Sequence, residues 1–189
     1  MWFELRAVII GAESVGKTSL VIQLLHNRFS EHPQEEEHPR KMVAVDNEQS
    51  LLSIVEVPYK PGCGMLDRLI PTCNGFILTY DVTSRTSFDD MNAYRKQIVL
   101  VQDSDKVPVI LLANKCDLEQ GRQVTEQEGL DMANSFGCPF FETSAKDCVN
   151  IEEAFHGIVR EIRKDLQDKS PPQQELTQQR SKSSRCSIF

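Results

Sequence analysis

The chain has 189 residues, 40% of them hydrophobic and 26% charged, which suits one globular domain with a full core. No apolar run approaches ~18 residues, which excludes a spanning helix, and Met1-Trp2-Phe3-Glu4 lacks the basic start of a signal peptide. The net charge of -7 is uneven: residues 169–189 hold four Lys/Arg against one Glu, whereas the preceding residues hold 17 basic against 27 acidic, a balance that argues against nucleic-acid binding and leaves a basic tail for an anionic surface.

In chain order, Leu5 to Ile10 is a short apolar run ending at Gly11, which predicts a buried strand. Leu20, Val21, Leu24 and Leu25 then repeat at helical spacing. Met42 to Val45 and Leu51 to Val57 flank Asp46-Asn47-Glu48-Gln49, the pattern of a hairpin. Phe76 to Tyr80, Val107 to Ala113 and Pro139 to Glu142 predict three further strands. Between them, Phe88, Met91, Tyr94, Ile98 and Val101 form one helical stripe. Thr125-Glu126-Gln127-Glu128 is a capping box, in which Thr and Glu satisfy each other's backbone donors. Asn150-Ile151-Glu152-Glu153 has the same form and leads into an amphipathic face of Phe155, Ile158, Ile162 and Leu166. The alternation predicts an α/β fold with a six-stranded, mainly parallel sheet, one antiparallel strand, and helices on both faces. From Lys169 the sequence turns to Ser, Pro, Gln, Lys and Arg, too polar to pack, and residues 169–185 are expected to be a flexible basic tail behind a domain at 1–168.

Six cysteines (Cys63, Cys73, Cys116, Cys138, Cys148, Cys186) form no CxxC pair, and no His lies at zinc-finger spacing, so reduced thiols are expected.

Gly11-Ala12-Glu13-Ser14-Val15-Gly16-Lys17-Thr18 matches GxxxxGK[ST], a P-loop, and it sits between a predicted strand and a predicted helix. Glycines let the backbone turn so that several N–H groups face phosphate oxygens. Lys17 would meet the β- and γ-phosphates and the Thr18 hydroxyl would ligate Mg²⁺. The helix N-terminus adds partial positive charge.

Two later segments choose the base. Asn114-Lys115-Cys116-Asp117 follows the fifth strand. Asp117 would accept both guanine N1 and N2 hydrogens, a donor pair adenine lacks. The Lys115 stem can lie along the base plane, and backbone N–H groups of Ser144-Ala145-Lys146, after the sixth strand, can reach the guanine O6. All three segments fall at C-terminal strand ends, where open α/β sheets bind ligands.

On these residues the chain resembles the Ras family of small GTPases over roughly residues 4–168 and the last four. Arg40 to Asp46, Leu51 to Ile54 and Glu142-Thr143-Ser144-Ala145-Lys146 are similar to Ras-type strands two and three and to the Ras-type base loop. The resemblance implies that GTP/GDP is bound by Gly11, Glu13, Ser14, Val15, Gly16, Lys17, Thr18, Ser19, Phe29, Asn114, Lys115, Asp117, Leu118, Ser144, Ala145 and Lys146. Thr18 would be the Mg²⁺ ligand and Phe29 would pack edge-on against guanine.

The departures lie in the two switch loops. The family's first switch carries a Thr that ligates Mg²⁺, but no Thr occurs here between Thr18 and Thr72. The loop is instead acidic, Glu31 to Pro39, an expected solvated segment from which Glu35 is a possible metal ligand. Aligned through the strand, Glu56 replaces the Asp of the second switch, Tyr59 its Gly, and Lys60 the Gln that orients the attacking water. A register using Gly62 leaves Pro58 and Tyr59 where the acid belongs. Glu13 stands where Ras has Gly, adding negative charge where the transition state concentrates it. No catalytic residue is therefore assigned, Lys60 being the one at the usual Gln position.

Cys186-Ser187-Ile188-Phe189 is a CaaX box predicting prenylation of Cys186, with geranylgeranyl favoured by the terminal Phe. Arg180, Lys182 and Arg185 supply a second membrane signal, and Ser181, Ser183 and Ser184 could carry phosphates that cancel it. The resemblance implies effector and exchange-factor partners and a place on the cytoplasmic face of membranes, chiefly the plasma membrane, with a cytosolic pool. Two readings follow: a membrane-attached guanine-nucleotide switch with weak hydrolysis, or a nucleotide-bound interaction protein that does not cycle. A nucleotide kinase is disfavoured because NKCD and SAK serve base recognition and no lid is evident.

Overall fold

The structure is a computed structural model and describes residues 4–34, 36–37, 39–57 and 64–169. The six strands are β1 (Glu4–Ile10), β2 (Arg40–Val45), β3 (Glu48–Glu56), β4 (Gly75–Asp81), β5 (Val109–Asn114) and β6 (Phe140–Thr143). They form one sheet in the order β2-β3-β1-β4-β5-β6, with β2 antiparallel to β3 and every other pairing parallel. The helices are α1 (Lys17–His26), α2 (Met65–Leu69), α3 (Arg85–Asp89), α4 (Met91–Gln102), α5 (Glu126–Phe136) and α6 (Ile151–Lys169).

The apolar runs of the central strands follow from burial on both sides. Along β1, Ala7 and Ile9 join a core with α1 and α6, through Leu20, Leu24, Phe155, Ile158 and Ile162. Val8 and Ile10 point the other way, into a core with Phe88, Met91, Tyr94 and Ile98. Each fully buried Ile or Phe of α6 contributes on the order of 1.5–3 kcal/mol. Leu166, expected on the same face, is 42% exposed. The chain spreads from β1 toward β3 on one side and β4 on the other, so the strand order reverses at β1. Ligands of open α/β sheets sit at such a point, beyond the strand C-termini.

Four local expectations change. The hairpin turn is only Asp46-Asn47, both at positive φ (52° and 65°), while Glu48 and Gln49 pair with Val45 and Ala44. This is the mirror-type two-residue turn whose twist matches paired strands. The stripe from Phe88 to Val101 is divided between α3 and α4 at Asp90, although Asp90 keeps helical angles. β5 starts at Val109 rather than Val107, because Pro108 has no N–H to donate; its carbonyl still accepts from the Phe76 N–H at 2.8 Å. Asn150 does not repeat the capping box: its φ is 54° and its side-chain amide donates to the Glu142 carbonyl at 2.8 Å. The Thr125–Glu128 box forms in full at the start of α5.

The basic tail beyond Lys169, the CaaX box, Glu35 and the segment Pro58 to Cys63 lie outside the described residues. Among the described residues no helix is long and apolar enough to cross a membrane. Cys73, Cys116, Cys138 and Cys148 are free thiols.

Candidate functional site

The phosphate loop leaves β1 at Gly11, packed so closely on β4 that a Cβ there would lie 2.1 Å from the Thr79 carbonyl oxygen. Ser14 and Gly16 both take positive φ, 64° and 94°. At Gly16 a side chain would also meet the Asn114 amide, 2.4 Å from the built Cβ. That amide donates to the Val15 carbonyl at 2.8 Å, and the Thr143 hydroxyl donates to Asn114 Oδ1 at 3.3 Å. Asn114 thus rivets the phosphate loop to the ends of β5 and β6. The Lys17 ammonium donates to the carbonyls of Gly11 (2.9 Å) and Ala12 (2.8 Å), arching over the loop. No side chain caps α1, so its first backbone N–H groups border the loop as an anion site.

At the base end, Asp117 Oδ1 accepts from the Ser144 hydroxyl at 2.6 Å, and the Ser144 hydroxyl oxygen in turn accepts from the Asp147 N–H at 3.0 Å. A backbone bridge between Ser144 and Val149 closes the loop. Glu142, at the head of this loop, is clamped by Arg122 at 2.6 Å, which also holds Glu119 at 2.7 Å. Lys115 turns back at φ 64° and donates to the Ser14 carbonyl at 2.7 Å, while pairing with Asp81 at 2.6 Å. Burial, then the nearby Glu142 and Asp117, pushes the Cys116 thiol up, which keeps it protonated near neutrality.

Between these ends lies a cavity of about 460 Å³, within the usual range for small-molecule sites. Of the expected nucleotide residues, Ser14, Gly16, Lys17, Thr18, Ser19, Phe29, Asn114, Lys115, Asp117, Leu118, Ala145 and Lys146 line it. Phe29 and Leu118 are 41% and 42% exposed, more than core residues would be. Gly11, Val15 and Ser144 are buried behind the wall and act by shaping it, whereas Glu13 is exposed outside it. Ser30, Glu31 and Pro33 also line the cavity; their loop has no regular pattern to mark them. Asp81 escaped the sequence reading as well, its one signal being an acid at the end of a buried strand adjoining the NKCD strand.

At the metal end, the register of β1 with β3 sets Glu56 opposite Ile9, just before the phosphate loop. The Thr18 hydroxyl donates to Glu56 Oε2 at 2.6 Å. A hydroxyl and a carboxylate this close form a hard oxygen pair that suits Mg²⁺. Glu56 therefore keeps a carboxylate on the phosphate-loop hydroxyl. Glu36, in the acidic loop, pairs with His26 at the end of α1. Glu35, Tyr59, Lys60 and Cys186 lie outside the described residues, so no geometry bears on them.

The Ras family model matches residues 6–164. A Ras-like protein, rasB of Dictyostelium discoideum, is 45% identical over 168 residues, which covers 87% of this chain and 85% of that protein.

Proposed function

The chain belongs to the Ras family, and on that premise we propose that this Ras-like small GTP-binding protein is a membrane-attached signalling switch whose GTP hydrolysis is slow. The observation that carries the reading is the single cavity joining the Lys17–Thr18 phosphate end to the Asp117–Ser144 base end. Ser144 holds one Asp117 oxygen, which orients the carboxylate for the two guanine donors. Lys17 and the α1 N-terminus receive the phosphates. Thr18 and Glu56 would hold Mg²⁺, which would supply charge neutralisation to the phosphates.

Slow hydrolysis rests on the residues around the third phosphate. By the resemblance, Glu13 stands in sequence at the loop position beside that phosphate, and Lys60 stands where a water-orienting Gln belongs. Both remove transition-state stabilisation rather than binding. A second reading, a nucleotide-bound interaction protein that never cycles, draws on Glu13, Glu56, Tyr59 and Lys60 together. The Thr18–Glu56 contact is common to both readings, because a nucleotide-bound protein of either kind would retain its metal shell. Phosphate release from GTP-loaded protein separates the two: an activating partner that accelerates release supports the switch, and bound GTP left intact with every activator supports the second reading.

Membrane attachment rests on Cys186 and the basic residues Arg180, Lys182 and Arg185. Cys186→Ser is expected to move the protein from the membrane fraction, chiefly the plasma membrane, to the cytosolic one. A variant that stays on membranes contradicts the lipid anchor. Effectors and exchange factors are the partners such a switch would take.

A further inference from the structure

We propose that Asp81 is a positioning residue for the nucleotide: through Lys115 it locks the base-recognition loop onto the phosphate loop. The inference rests on the reading of the cavity as a guanine-nucleotide site.

Asp81 is the last residue of β4, and the register sets it beside Asn114, the last residue of β5. Its side chain is only 9% exposed. The two carboxylate oxygens do different work. Oδ1 accepts from the Thr83 N–H at 2.8 Å and the Thr83 hydroxyl at 2.6 Å, an ordinary local turn in which an Asp side chain bonds the backbone two residues on. Oδ2 is the oxygen this turn does not use, and it pairs with the Lys115 ammonium at 2.6 Å.

Lys115 belongs to the base-recognition motif and lines the cavity. Its ammonium has two partners of known position, Asp81 on β4 and the Ser14 carbonyl of the phosphate loop at 2.7 Å. Fixing the head at both points fixes the stem that runs along the cavity wall. Ser14 is also a non-glycine residue at φ 64°, a conformation that persists where surrounding contacts over-determine it. The lysine contact on its carbonyl is one of those contacts. A single buried carboxylate thereby sets both the base wall and the shape of the phosphate loop. Ion pairs of this kind are weak evidence for stability; their best-attested use is to fix one arrangement.

The substitution Asp81→Asn separates the two roles. Asn retains an Oδ1 acceptor for Thr83 but presents an amide, which cannot pair with an ammonium, in place of Oδ2. The experiment measures release of a fluorescent GDP analogue from wild type, Asp81→Asn, Lys115→Met and the double variant. Asp81→Asn is expected to release nucleotide roughly tenfold faster, as for a lost charge-assisted contact. In the Lys115→Met background the same change should add almost nothing, because the residue it acts through is gone. A release rate within about twofold of wild type, or equal acceleration in both backgrounds, overturns the inference. The second outcome would make Asp81 a structural residue only. Wild type that fails to hold the analogue at all overturns the nucleotide reading itself, and this inference with it.

Discussion

The two ends of the pocket are built differently. The base end is cross-braced by rigid strand termini: Asn114 on Val15, Thr143 on Asn114, Ser144 on Asp117, Arg122 on Glu142. Each contact joins residues far apart in sequence, so each is held by the sheet. At the third-phosphate end the described residues include the Thr18–Glu56 contact, and the two switch segments carry replacements in sequence for the family's Thr, Gly and Gln. Binding a nucleotide needs the first end, and cleaving it needs both. If hydrolysis is slow as proposed, the loss lies at the second end while the scaffold that recognises guanine persists.

The largest expected effect breaks the braced end. Asp117→Asn should lower affinity for guanine nucleotides by roughly 10²–10⁴-fold and favour xanthine nucleotides, since buried polar groups left unpaired are strongly rejected. Competition between GDP and xanthosine diphosphate measures it, and an unchanged guanine preference would remove Asp117 from the base site. Smaller is Glu56→Ala, expected to weaken Mg²⁺ binding roughly 10–100-fold, as for other residues that orient a metal ligand. The Mg²⁺ concentration needed to slow GDP release reads it out. Glu56→Asp, one methylene shorter, tests whether reach to Thr18 matters; full metal affinity in Glu56→Ala would remove Glu56 from the metal site.

The smallest effect lies away from the pocket. Hydrogen bonds from Arg85, then from Thr125, hold Glu128 down to about 2. Because the folded-state value is depressed, the stabilisation is complete above the ordinary value of 4.5 and is lost as pH falls through about 2. The melting-temperature gap between wild type and Glu128→Gln should therefore narrow across that window. Thr125→Ala should cost about 1 kcal/mol and leave GDP release unchanged, which marks the comparison as one of pocket ends rather than of overall stability.

Legibility in the sequence follows the same division. GxxxxGKT, NKCD and SAK could be read because each is short, contiguous and placed just after a strand. The Thr125 cap was readable for the same reason, since both partners lie within one turn. Asp81 was not, because its partner is 34 residues away and only the β4–β5 register joins them. Asn150 misled because the Glu142 carbonyl, a tertiary partner, competes for its amide. Glu56 read in sequence as a replacement for the switch Asp, and the β1–β3 register brings it onto Thr18.

We propose a pocket that holds GTP well and cleaves it poorly. Single-turnover phosphate release from GTP-loaded wild type, beside a Glu13→Gly/Lys60→Gln variant, tests it most directly. Slow release is expected from wild type, and release at least roughly tenfold faster from the variant, in which the added carboxylate is gone and a water-orienting amide is supplied. Wild type that releases phosphate as fast as the variant would contradict it.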